Sequence, residues 1–152
     1  MERALGFRAE THKVYWAVVE GTRNAPILVA HDNAAAPVNL GEASALSWYS
    51  SRVRHIVETY KPSVAMIRSA EPTARGSRKE GPRLRLRIEG VLLQTIDSCG
   101  LKVTIGALAT ISGKLGTQAK GYIESGELRG LDLSRLPSYA KEAVLVAVAA
   151  LP

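Results

Sequence analysis

The chain has 152 residues, 46% of them hydrophobic, with a formal charge of +6 and a pI near 9.7. That is enough for one domain with a real core and too little for two comfortable ones. The single cysteine, Cys99, excludes an internal disulfide. No Cys/His cluster has zinc-ligand spacing, and no apolar run approaches membrane-spanning length. With no signal-peptide pattern in Met1-Glu2-Arg3-Ala4, these features predict a soluble, cytoplasmic protein without a membrane partner. The positive charge suits a polyanionic partner, but a surplus of this size also serves plain solubility.

Three apolar runs open the chain: Ala4 to Arg8, Val14 to Glu20 and Pro26 to His31. The short gaps between them predict antiparallel hairpins. After a loop from Asn33 to Pro37, the residues Leu46, Tyr49, Val53, Ile56, Val57 and Tyr60 recur at helical spacing, which predicts an amphipathic helix from about 42 to 60. Pro62 stops that helix, and Ser63 to Arg68 has the apolar density of a strand buried on both faces. Glu71 to Pro82 is a polar loop. A second helix is expected over Leu84 to Cys99, with Leu86, Val91, Leu92 or Leu93, and Ile96 inward and Gly100 as its stop. Leu101 to Ile105 is a further strand, and residues 110 to 120 are Gly-punctuated and basic, a loop leading into a short helix. The final run from Pro137 to Leu151 is so rich in Ala, Val and Leu that it predicts a largely buried helix.

The order is βββαβαβ plus a terminal helix, a mixed five-stranded sheet whose three antiparallel strands precede parallel ones, flanked by helices. This is the order of the ribonuclease H-like fold. Within it the chain resembles the RuvC-type Holliday junction resolvases along nearly its whole length. The family's first strand reads Leu-Gly-Ile-Asp, and here Leu5-Gly6-Phe7-Arg8 stands before Val14-Tyr15-Trp16-Ala17-Val18-Val19. Its fourth strand ends Ile-Glu, where this chain has Ile67-Arg68. Leu86-Arg87-Ile88-Glu89-Gly90-Val91 is similar to its Gln-Ala-Arg-Gly turn, Lys114, Gly116 and Ala119-Lys120 to its Lys- and Gly-containing loop, and Glu142-Ala143-Val144-Leu145-Val146-Ala147 to its last helix.

The resemblance implies a two-metal nuclease whose clustered carboxylates hold divalent ions. The departures fall on those carboxylates. A guanidinium offers only donors and a fixed positive charge, so Arg8 and Arg68 cannot ligate magnesium or manganese, and Glu142 is the one acid left in place. The leading expectation is therefore a resolvase-like protein without catalysis or cofactor, in which Arg8, Arg68 and Glu142 mark degenerate positions. Three arrangements remain open: an ion pair of Arg8 and Arg68 with Glu142, two guanidiniums that grip a phosphate, or a nuclease with acids relocated to Glu10, Glu71 and Glu142, which alone would need Mg²⁺ or Mn²⁺.

Arg75, Arg78, Lys79, Arg83, Arg85 and Arg87 put six positive charges in thirteen residues against Glu80 alone, a density that suits a phosphate backbone. An exposed loop and the solvated face of a helix would give the same pattern. Lys114 and Lys120 would extend the track, which makes Arg8, Arg68, Arg75, Arg78, Lys79, Arg83, Arg87, Lys114 and Lys120 the candidate nucleic-acid contacts. The expected partner is nucleic acid, with DNA ahead of RNA and branched or displaced-strand DNA favoured. The competing class is an assembly subunit, a homodimer or part of a larger complex, that uses a helix face such as Trp48, Tyr49, Val53, Ile56 and Tyr60. His12, His31 and His55 are dispersed, without metal-ligand or triad spacing.

Overall fold

A computed structural model of the protein describes residues 1–70 and 80–152. Strands β1 (Arg3–Ala9), β2 (Val14–Gly21) and β3 (Pro26–Ala34) form an antiparallel meander. Helix α1 (Glu42–Tyr60), β4 (Val64–Arg68), α2 (Glu80–Ser98) and β5 (Lys102–Gly106) complete a sheet of order β3-β2-β1-β4-β5, in which β4 runs parallel to both neighbours. Helices α3 (Leu108–Leu115) and α4 (Ala119–Ser125), a small hairpin of β6 (Glu127–Leu128) and β7 (Leu131–Asp132), and α5 (Ser138–Ala150) follow. The expected ribonuclease H-like order is present, and the first helix has the expected bounds. Among the described residues no helix is long and apolar enough to cross a membrane.

The side-chain period of two decides what each strand gives to each face. Leu5, Phe7 and Ala9 of β1, with Ala65 and Ile67 of β4, pack under α1 and α2. Ala4 of β1 and Met66 of β4 face the opposite cluster of α3, α4 and α5. Gly6 and Arg8 share the face of Ala4, and Arg68 that of Met66, so all three fall on the α5 side. Ala140 and every residue from Glu142 to Ala149 of α5 are buried, as the composition of this helix predicts. The helix lies so close to β1 that a Cβ on Gly6 would meet the Ala143 carbonyl oxygen and come within 2.8 Å of Ala147 Cβ. The glycine of Leu5-Gly6-Phe7-Arg8 is thus where a helix backbone rests on a strand.

Two expectations are corrected. Residues 110–120 are not mainly loop, since α3 extends to Leu115, and Gly116, at φ 76°, is its left-handed end rather than part of a flexible run. Burial of Ile111 and Leu115 one turn apart outweighs the helix cost of Gly113. Helix α2 begins at Glu80, and its buried face is Ile88, Glu89, Leu92, Thr95 and Ile96, while Leu86 is 52% exposed. Spacing of four from Ile88 sets the phase, and Leu86 lies two residues, over half a turn, away from it. The β6–β7 hairpin was not anticipated.

Candidate functional site

Arg8 and Arg68 are register partners on the parallel strands β1 and β4, so their side chains leave the same end of the sheet on the same face. Glu142 stands opposite them in the second turn of α5. Its Oε1 accepts from Arg68 Nε at 2.9 Å and from Arg8 Nε at 3.3 Å. Arg8 and Arg68 are 5% exposed and Glu142 is 6% exposed. Each arginine also folds Nη1 back onto the carbonyl following it, Arg8 on Ala9 and Arg68 on Ser69. The Arg8 guanidinium lies 4.2 Å from the ring centroid of Tyr139, one helical turn before Glu142, and that ring meets Tyr15 edge-on. One carboxylate therefore ties two strands to a helix. Such a buried bridge is costly to desolvate and costlier to break.

A cavity of about 580 Å³ opens beside this bridge, lined by Arg8, Glu10, Thr11, Arg68, Ala70, Gly81, Pro82, Arg85 and Tyr139. Arg85 is the third guanidinium of the site, carried in from α2. Its Nε donates to Glu89 Oε2 at 2.9 Å, and the Glu89 carboxylate also accepts the Ala70 amide at 3.2 Å, joining the end of β4 to α2. Arg85 Nη2 is buried and has no hydrogen-bond partner among the described residues. An unmatched buried donor costs about 1–3 kcal/mol. Burial, then the nearby charge of Arg8, lowers the Arg85 pKa, with Glu89 acting in the opposite direction and Arg68 adding a smaller lowering. The folded protein thus holds this cation at some expense, which an added anion would relieve.

At the heart of the site three guanidiniums face two buried carboxylates, Glu142 and Glu89. Glu10 lines the cavity while half exposed, and Thr11 supplies a hydroxyl. This donor set does not fit a divalent metal. Oxygen ligands are required, and here the carboxylate between β1, β4 and α5 is already engaged by two permanent cations. Among the described residues no three His, Cys, Asp or Glu side chains gather as a metal-holding group. What the arrangement can do is accept an anion, because guanidinium N–H donors converge on a recess at the carboxyl ends of parallel strands.

The structure separates the remaining candidates. Arg83 and Arg87 are exposed on α2, and Arg87 Nη1 pairs with Glu42 at 2.6 Å. They share a side of that helix distinct from Arg85, so they continue a basic surface rather than enter the cavity. Arg75, Arg78 and Lys79, with Glu71 of the relocated-acid arrangement, lie outside the described residues. Lys114 is not part of this surface: its carbonyl accepts from Arg23, in the β2–β3 turn at the other end of the sheet. Lys120 is exposed and sits 3.7 Å from Glu124. Trp48 is half buried against Tyr49, while Tyr49, Val53 and Ile56 belong to the core, so they are not a free interface. Glu89 and Tyr139 escaped the sequence reading as site residues. Glu89 could have been found from its place four residues after Arg85 on the stripe of Leu92 and Ile96, and Tyr139 from its place three before Glu142.

No family model and no curated protein sequence matches the chain. Solved structures do. Thermus thermophilus RuvC superposes with a TM-score of 0.76 at 14% identity, covering 97% of this chain and 92% of that one. The same protein in complex with a Holliday junction substrate gives 0.75 at 12% identity over 98% and 92%. The yeast mitochondrial Holliday junction resolvase Ydc2 gives 0.62 at 10% identity over 97% and 78%. The chain has the ribonuclease H-like fold of the RuvC-type resolvases.

Proposed function

We propose that the protein binds nucleic acid through the strand-end cavity and the adjoining basic face of α2, and does not cut it. The observation that carries this reading is the buried bridge itself. Arg8 and Arg68, which the sequence resemblance sets against the acids of the resolvase pattern, both pair with Glu142, and a third guanidinium, Arg85, borders the same recess. Groups that would repel a metal ion attract a phosphate. The resolvase fold supports DNA ahead of RNA and a branched or displaced-strand form, since one of the similar structures is a RuvC bound to a Holliday junction.

The test is incubation of the purified protein with end-labelled four-way junction, duplex, single strand and RNA–DNA hybrid in magnesium or manganese, followed by native and denaturing gels. Shifted but intact substrate is expected, with the junction or the single strand bound best and the shift weakening as salt rises. Cleavage lost in Glu142→Ala would overturn the reading and point to relocated acids, among which Glu10 does line the cavity.

A second reading has its own observation. A groove of about 540 Å³ runs between the β3–α1 loop and the start of α2, where Leu40, Leu46 and Leu84 lie beside a fully exposed Val38. An assembly subunit would present such a surface to a protein. Absence of any shift at low salt, together with a stable homodimer or co-purifying chain, would favour that class.

A further inference from the structure

The depth and charge of the cavity restrict which phosphate can enter it. Arg8 and Arg68 are 5% exposed, so a phosphate within a smooth duplex backbone, flanked by sugars and neighbouring phosphates, cannot descend to them without distortion. A phosphate at the end of a strand is narrow enough to do so. The volume of about 580 Å³ is far more than one anion needs and suits a nucleotide. Three guanidiniums stand against the two buried carboxylates and Glu10, and a phosphate monoester, with about −1.5 to −2 at neutral pH, engages their N–H donors more strongly than a singly charged diester. Glu10, half exposed on the wall, disfavours a second phosphate further out and so opposes a continuous backbone. Arg85 borders this cavity, and its Nη2, shielded from solvent and without an acceptor among the described residues, gains one when the side chain turns toward a ligand.

Resting on the nucleic-acid reading above, we infer that the cavity is a receptor for the phosphorylated end of a nucleic-acid strand, with Arg85 and Arg8 as phosphate donors and Tyr139 as a wall for the terminal nucleotide. A displaced strand that ends in a phosphate satisfies both readings. Inorganic phosphate and nucleoside monophosphates carry the same chemistry, so they serve as separate probes.

The experiment measures anisotropy of one short single-strand sequence carrying a 5′-phosphate, a 3′-phosphate or only hydroxyl ends, with the dye placed internally. A phosphorylated end is expected to bind about tenfold tighter than the hydroxyl form. Arg85→Gln is expected to bring that ratio to about one, and Arg85→Lys, which keeps the charge but not the fork, to an intermediate value. Thermal melts of both variants establish that they are folded. Inorganic phosphate is expected to compete with the phosphorylated strand and barely with the hydroxyl one. Equal binding of all three strands by the native protein would overturn the end receptor and leave nucleic-acid binding standing, as would an unchanged ratio in folded Arg85→Gln. No binding of any strand would overturn both, and melting stabilised by inorganic phosphate in that case would assign the cavity to free phosphate compounds.

Discussion

The two ends of the sheet both use arginine, to opposite effect. At one end Arg23 donates Nε to the Ala149 carbonyl at 3.1 Å and Nη1 to the Lys114 carbonyl at 3.3 Å, while Arg129 donates to the carbonyls of Arg23 and Leu115. These acceptors are neutral, and most belong to the last turns of α3 and α5, where carbonyls lack helical partners and the dipole favours a cation. There the guanidinium finishes the fold. At the other end Arg8, Arg68 and Arg85 face carboxylates and border a cavity. An arginine at a strand end is therefore no site by itself. Its acceptors and the space beside it decide.

The comparison can be broken most forcefully at its charged end. Glu142→Gln leaves two buried guanidiniums facing each other without a counter-charge, and unfolding free energy from urea titration is expected to fall by about 3–5 kcal/mol. A loss under about 1 kcal/mol would mean that water already screens the pair. At the other end, Arg129→Ala is expected to cost about 1–3 kcal/mol by leaving the Arg23 and Leu115 carbonyls unmatched. Nucleic-acid affinity in that variant should be unchanged, and a parallel loss in gel shift would show that the two ends are not functionally distinct. Arg87→Ala removes an exposed pair with Glu42, so stability should move by less than about 1 kcal/mol. If α2's outer face tracks a backbone, the slope of log affinity against log salt should shrink by about one contact.

The smallest expected effect is a pH-dependent one, in the β6–β7 hairpin whose turn carries Arg129. The Asp132 carboxyl is held below its usual pKa by the Ser134 hydroxyl, then by the Ser134 amide. A depressed folded pKa contributes stability above the ordinary carboxylate range and loses it as pH falls through the lowered value. Ser134→Ala should therefore be slightly less stable than the parent near about pH 7, with the difference shrinking as pH falls below the ordinary carboxylate range. A difference that persists in acid would assign the effect to packing instead.

Much of this was legible in the residues, for physical reasons. The first four strands carry dense apolar runs and α1 a clean helical stripe, and Pro62 marks the boundary between α1 and β4. The bridge of Arg8, Arg68 and Glu142 was foreseeable because strand ends and a period of two fix the side of the sheet. Helix α2 was harder, since leucines at 84, 86, 92 and 93 suggest more than one phase, and the phase chosen put Leu86 inside. That error hid Glu89, and with Glu89 the anchoring of Arg85. The β6–β7 hairpin has two residues per strand and offers no periodicity to detect. Lys114 was grouped with the basic track from sequence order alone, which cannot say which end of a sheet a helix terminus reaches.

The bare Cα of Gly6 acts as a gauge. It sets how far α5 stands from the sheet, and α5 carries Glu142, so a hydrogen atom in the middle of β1 calibrates the gap across which one carboxylate holds two cations. A methyl group there would lift the helix and lengthen those contacts together, without touching any charged residue. The electrostatic character of the cavity is in this sense a machined tolerance, ground into the backbone two positions before the first arginine.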